Sequence, residues 1–199
     1  MQLNRINWFG ITGGILTLLV IAVSLYNPWW QLTIGDNLMR VNASPMNTNF
    51  GLMGTQFTIP LIYALNLGSI LTFLCSGVIM LIYSLIPTKP YAKDLLAFSW
   101  KKPLWSVIFS VVGLIIIIII VQTILGFNIP LMGAGNIILP SSFTMGVNIS
   151  VNVFSEFQWP FYMAITAAAL CICARFYHRR LSSTQDQAMA VSTQPVSKV

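Results

Sequence analysis

Four long apolar runs, each free of acidic and basic side chains, divide the chain: Trp8 to Tyr26, Pro60 to Ile86, Leu104 to Leu125 and Trp159 to Ala174. A helix rises about 1.5 Å per residue, so about 20 residues cross a hydrocarbon core of about 30 Å, and each run predicts a transmembrane helix. The last run is short and takes in flanking residues, giving spans at about 8–26, 60–86, 104–125 and 159–176; the second is long enough to tilt. Four spans return both termini to one side. Trp8, Tyr26, Trp29, Trp30, Tyr83, Trp105, Trp159 and Tyr177 fall near the ends of the runs, where amphipathic rings favour the headgroup layer.

Between the runs the pattern changes period. From Phe143 to Val153 apolar residues occupy every second position, separated by Thr144, Gly146, Asn148, Ser150 and Asn152. This predicts a half-buried β-strand with its odd-numbered side chains inward. Trp30, Leu32 and Ile34 alternate with Gln31 and Thr33, the turn residues Gly35-Asp36-Asn37 follow, and Leu38 to Val41 can return as a second strand. Gln56 to Ile59 supplies a third. Pro130, Gly133, Gly135 and Pro140 suggest an irregular loop before the long strand. Segments 27–59 and 126–158 are thus expected to form one small sheet capping the outer ends of the helices. Ser182 to Val199, rich in Ser, Thr, Gln and Val, reads as a flexible tail, leaving 1–181 as the membrane domain.

Composition supports the membrane class: 56% of the 199 residues are hydrophobic and 7% charged, against about a quarter charged in soluble domains. No separate soluble catalytic domain fits in what remains. The charge pattern then orients the bundle. Arg5, Lys89, Lys93, Lys101, Lys102, Arg175, Arg179, Arg180 and Lys198 all fall on one side, and only Arg40 on the other. Positive residues collect in cytoplasmic segments, so both termini are expected in the cytoplasm of a cell-membrane protein. Arg175, Arg179 and Arg180 are expected to meet lipid headgroups. The basic residues are split among separate juxtamembrane segments, which leaves no nucleic-acid-binding pattern. Tyr26-Asn27-Pro28-Trp29 offers no small-x-small site, so cleavage of the first span as a signal peptide is not expected.

The string Pro28-Trp29-Trp30-Gln31-Leu32-Thr33, followed by Phe50-Gly51-Leu52-Met53, resembles the claudin-like tetraspan superfamily. Trp30 matches that family's first-loop Trp, and Gly51 and Leu52 its Gly-Leu. Met53 stands where the family has Trp, and neither outer segment carries the family's cysteine pair. The resemblance implies a non-enzymatic membrane protein acting through lateral or partner contacts.

Candidate chemistry is sparse. No span holds an ionisable Asp, Glu, Lys, Arg or His in its middle, which argues against proton pumping or charged-substrate transport. Asn66 reads as an interhelical hydrogen-bonding residue. His178, the one histidine, has no local carboxylate and reads as part of the basic cluster. Cys171 and Cys173 point about 200° apart on one helix and cannot chelate a metal together. Asp36 and Glu156 are explained as a turn residue and a helix-flanking residue. No catalytic, metal-ligating or cofactor-binding residue is expected. Gly10 with Gly14, Ala64 with Gly68, and Ala164 with Ala168 form small-xxx-small pairs, expected at helix-packing faces. Asn42 and Asn148 begin glycosylation sequons.

The expectation is a non-catalytic accessory or structural subunit of a membrane assembly. It would contact lipids and other subunits, or further copies of itself, through an outer cap that includes Trp29, Trp30, Asp36, Arg40, Asn148, Ser150 and Asn152. The competing expectation is a small channel or transporter for neutral or lipid-like substrates, lined by Asn66, Thr72 and Gln122.

Overall fold

The computed structural model describes residues 6–35, 38–89, 91–139 and 149–192. Its elements run α1 (Trp8–Ser24), β1 (Trp30–Ile34), β2 (Met39–Ala43), β3 (Asn49–Leu52), β4 (Thr55–Phe57), α2 (Pro60–Leu85), α3 (Ala92–Leu125), β5 (Gly133–Leu139), β6 (Ile149–Phe157) and α4 (Trp159–Ser192). The protein is a helical bundle joined to a small antiparallel sheet. Helices α2, α3 and the Trp159–Arg180 part of α4 are long and apolar enough to cross a membrane, whereas α1 is a shorter apolar helix of 17 residues.

The helices alternate in direction around the bundle. The start of α1 lies beside the end of α2, where Asn7 N–H donates to the Ser84 carbonyl. It also lies beside the basic end of α4, where Asn7 Nδ2 donates to the Ala174 carbonyl at 3.0 Å. The end of α2 meets the start of α3 through Ser76 Oγ, which donates to the Ser99 carbonyl at 2.7 Å. That carbonyl needs a partner because Pro103, one turn on inside α3, has no N–H to offer it. A side-chain donor replacing a lost helix bond is one way a proline is accommodated in a membrane helix.

Close approach between α1 and α2 requires glycine. A Cβ on Gly14 would lie 3.1 Å from the Gly77 carbonyl oxygen, and one on Gly77 would lie 2.7 Å from Leu18 Cδ2. Gly10 faces Ser84 in the same seam, and Ala164 and Ala168 are buried in the bundle. Two of the three small-residue pairs therefore sit at packing faces. The third does not: Ala64 and Gly68 are exposed, and among the described residues a Cβ on Gly68 would meet nothing within 4 Å. The role in α2 expected of that pair is taken by Gly77.

The sheet order is β4-β3-β2-β1-β6-β5, all antiparallel. Strand β1 pairs with β2 on one side and with β6 on the other, so the segment before α2 and the segment after α3 meet in one sheet. Paired residues share a face: Trp30 with Ala43 and Phe157, Leu32 with Val41 and Ser155, Ile34 with Met39 and Val153. This face packs on α3 through Leu114 and Ile118.

Several elements depart from the sequence reading. Residues 133–139, expected as loop, form β5 paired along its length with β6. Strand β3 was not foreseen. The long strand reaches Phe157 rather than stopping at Val153; residues 140–148 of the expected strand and turn lie outside the described residues. Helix α3 begins at Ala92, twelve residues before the expected span, because Lys and Asp interrupt an apolar run without interrupting helix formation. Helix α4 continues to Ser192, through part of the expected tail. No glycine or proline stands between Leu181 and Ser192 to stop it.

Candidate functional site

The outward face of the sheet is built by the alternate residues of each strand. Gln31 and Thr33 of β1 pair with Asn42 and Arg40 of β2 and with Glu156 and Phe154 of β6. Arg40 Nη2 donates to Gln31 Oε1 at 2.7 Å, and Asn42 Nδ2 donates to Asn49 Oδ1 at 2.8 Å. Gln158 Nε2 donates to Glu156 Oε1. Toward β5 this face presents Ser150 and Asn152, both exposed, beside Phe154 and Ile138, which are 48% and 65% exposed. Strand β6 follows the expected alternation at Asn152, exposed, and Val153, buried; beyond the expected strand the facing continues against side-chain polarity, with Phe154 exposed and Ser155 buried.

The outer-cap residues expected from sequence separate into three groups. Ser150 and Asn152 lie on the exposed face, and Arg40 is half-buried beside Gln31. Trp29 and Trp30 are corrected from contact residues to core residues, being 0% and 3% exposed. Trp29 Nε1 donates to Ser24 Oγ at 2.8 Å, and its ring packs against Phe73 and Phe161. Trp30 Nε1 donates to the Leu131 carbonyl at 2.8 Å. Indoles with a partnered N–H are suited to anchoring a sheet to a bundle, and that burial removes them from the surface. Asp36 and Asn148 lie outside the described residues.

At the far end of the sheet, β3 and β4 form a tight hairpin through Met53 and Gly54, both at positive φ (49° and 85°). Positive φ at both central residues is the two-residue hairpin geometry that follows strand twist. Its apolar side chains are only partly covered: Leu52 is 49% exposed, Met53 78% and Phe57 52%. Phe57 stacks on Phe50 at 5.8 Å. Among the described residues strand β4 is an edge, pairing with β3 alone.

The polar residues proposed to line a path are not brought together. Asn66 is buried, and with its amide turned to satisfy both partners it donates to the Pro45 carbonyl at 3.3 Å and accepts from Thr48 N–H at 2.9 Å. It therefore ties α2 to the β2–β3 loop rather than to another helix. Gln122 is exposed on α3. Thr72 lines a groove between α2 and α3, together with Ala64 and Gly68, and its hydroxyl donates to the Gly68 carbonyl.

At the basic end, Asn7 is fully buried and was not singled out from sequence. Its Nδ2 donates to Tyr83 Oη at 3.0 Å as well as to Ala174, and its Oδ1 accepts from Gly10 N–H. Asn7 thereby caps α1 and joins three helices. The sequence signal was a helix-capping residue at the head of an apolar run. His178 sets its ring against Tyr83, centroids 5.5 Å apart. Arg175, expected at headgroups, stacks its guanidinium on Trp100 at 4.1 Å and is half-buried; Arg179 and Arg180 are exposed. Asn42, which begins one of the sequons, is 7% exposed, and its Nδ2 donates to Asn49 Oδ1. Among the described residues no group of three His, Cys, Asp or Glu side chains is placed to hold a metal. No protein-family model matches the chain, and no curated protein matches it significantly.

Proposed function

We propose that this chain is a non-catalytic tetraspan of the cell membrane, with both termini cytoplasmic, acting as an accessory or structural subunit that contacts its partners through the sheet. The observation that carries this reading is the uncovered β3–β4 hairpin: an uncharged edge strand with Leu52, Met53 and Phe57 exposed beside it. Edges of this kind are normally blunted by charge, proline or covering structure, and contiguous exposed apolar surface marks interaction sites.

Helix α1 serves as the fourth span in this reading. Its 17 residues meet the lower limit for crossing, about 17, and it lies antiparallel between α2 and α4, at their depth. The described lysines, with Arg175, Arg179 and Arg180, then gather at one end of the bundle and the sheet, with Arg40, at the other, in keeping with a cytoplasmic skirt and an external sheet. A distant claudin-like relationship belongs to the same proposal, supported by Trp30 and Gly51-Leu52 standing in one sheet built largely from the first loop.

The test is assembly size after extraction from native membranes in mild detergent. The wild-type chain should sediment in a complex well above its 22.1 kDa mass, and Phe57→Lys should release a folded monomer. A stable wild-type monomer without partner overturns the proposal.

A further inference from the structure

A second feature faces the membrane itself. Helices α2 and α3 meet near Ser76 and Ser99 and then part, leaving an open groove of about 1200 Å³. One wall is Ala64, Gly68 and Thr72 of α2; the other is Ser106, Ser110 and Gly113 of α3. Phe73 and Leu114, both buried, line it as well, and the Ser44-to-Thr48 loop bounds the sheet end. Lys101 and Lys102 stand at the opposite end with Trp105 and Phe109. From Lys102 to Ile117 the groove follows α3 for about 22 Å, more than half the thickness of a hydrocarbon core.

The small residues here do not serve helix packing. Among the described residues a Cβ on Gly68 or on Gly113 would meet nothing within 4 Å, unlike those on Gly14 and Gly77. Glycine inside a helix costs stability relative to alanine, and close backbone approach is the usual return. At these two positions the return is space. The space is bordered by two lysines, and among the described residues no carboxylate lines it. That pairing of an elongated, mainly apolar slot with a cationic mouth matches an acyl chain carrying an anionic head.

We propose that the α2–α3 groove holds one anionic glycerophospholipid, its phosphate at Lys101 and Lys102 and an acyl chain along Gly68, Gly113 and Ile117. The basic end of the bundle is the side on which anionic lipids concentrate if the termini are cytoplasmic. A partner helix would fill the slot but leave the lysine pair without a counter-charge unless it also brought a carboxylate to that end of the bundle. The inference rests on the membrane-spanning reading of α2 and α3, which carbonate-resistant retention in membranes tests separately.

The experiment is native mass spectrometry of the full chain in detergent, titrated with dioleoyl phosphatidylglycerol or dioleoyl phosphatidylcholine. One phosphatidylglycerol per chain should be retained preferentially. Lys101→Gln with Lys102→Gln should weaken it about thirtyfold, to the phosphatidylcholine level. Gly68→Leu with Gly113→Leu, which enters open space and leaves the elution profile unchanged, should abolish retention of both lipids. Quenching by dibrominated phosphatidylglycerol provides a readout free of that variant: it should contain a saturable part that Trp105→Phe removes. Equal retention of the two lipids by the wild type, or undiminished retention by the folded glycine variant, overturns the proposal. So does a disulfide-linked dimer of Ser110→Cys forming in native membranes, which would show a second copy in the groove.

Discussion

At Ser99 one carbonyl oxygen decides how a proline is accommodated in a long apolar helix. Pro103 cannot donate to it, and Ser76 Oγ of the neighbouring helix does so at 2.7 Å. Both serines are buried, at 1% and 0% exposure, so no water is at hand to replace the donor. Ser76→Ala is expected to cost about 1–2 kcal/mol, the penalty of leaving a buried acceptor unsatisfied. In Pro103→Ala the restored helix bond should make the same serine change nearly neutral, and a double-mutant cycle of detergent unfolding measures the coupling. Independent, additive costs would contradict this role for Ser76. The buried tryptophans carry a related lesson. Aromatic residues at a span end read alike whether they face headgroups or a sheet, and only the partners of Trp29 and Trp30 distinguish the cases.

Among the elements, β6 gives the sharpest register test. Val153 is 1% exposed while Asn152 beside it is exposed. Val153→Asp should destabilise the fold by several kcal/mol, about 3 or more, because it buries an unpaired carboxylate or forces its protonation. Asn152→Asp should stay within about 0.5 kcal/mol. Thermal unfolding in the same micelle compares them, and equal tolerance would contradict the strand's facing. This alternation was legible because its period of two is unbroken. Strand β5 was not, because Gly133, Gly135 and the nearby prolines are turn formers by composition. Gly135 instead packs closely on Pro130, where a Cβ would lie 3.2 Å from Cδ, tighter than ordinary contact. The β3–β4 hairpin was hidden by its turn, since Met53 adopts a positive φ usually reserved for glycine or asparagine. The apolar runs predicted where α2 and α4 begin, yet the outer boundaries of α3 and α4 lay beyond them. Hydropathy reports where a helix meets lipid, whereas the helix continues through any sequence without a breaker.

For the whole molecule, charge grouped the basic segments in the sequence, and the alternating bundle brings Lys89, Lys93, Lys101, Lys102, Arg175, Arg179 and Arg180 to one end. The contact surface was less legible. Ser150 and Asn152 were in view because strand alternation points them outward, but Leu52 and Phe57 became candidates only once β3 and β4 placed them at an edge. The same holds for the α2–α3 groove. In one dimension Ala64 and Gly68 look identical to Gly10 and Gly14; the difference is which of them has a neighbouring helix.

A tetraspan with an external sheet requires the sheet and the basic end to lie on opposite sides of the membrane. The measurement is labelling of single cysteines in intact cells by a membrane-impermeant maleimide, with Cys75, Cys171 and Cys173 replaced by alanine. Ser150→Cys and Thr88→Cys are suitable because both positions are exposed, at the sheet and at the basic end respectively; Ser99 is fully buried and unsuited to a label. Ser150→Cys should react in intact cells, and Thr88→Cys only after permeabilisation. Labelling of both positions in intact cells, or of Thr88→Cys alone, would contradict the tetraspan with an external sheet.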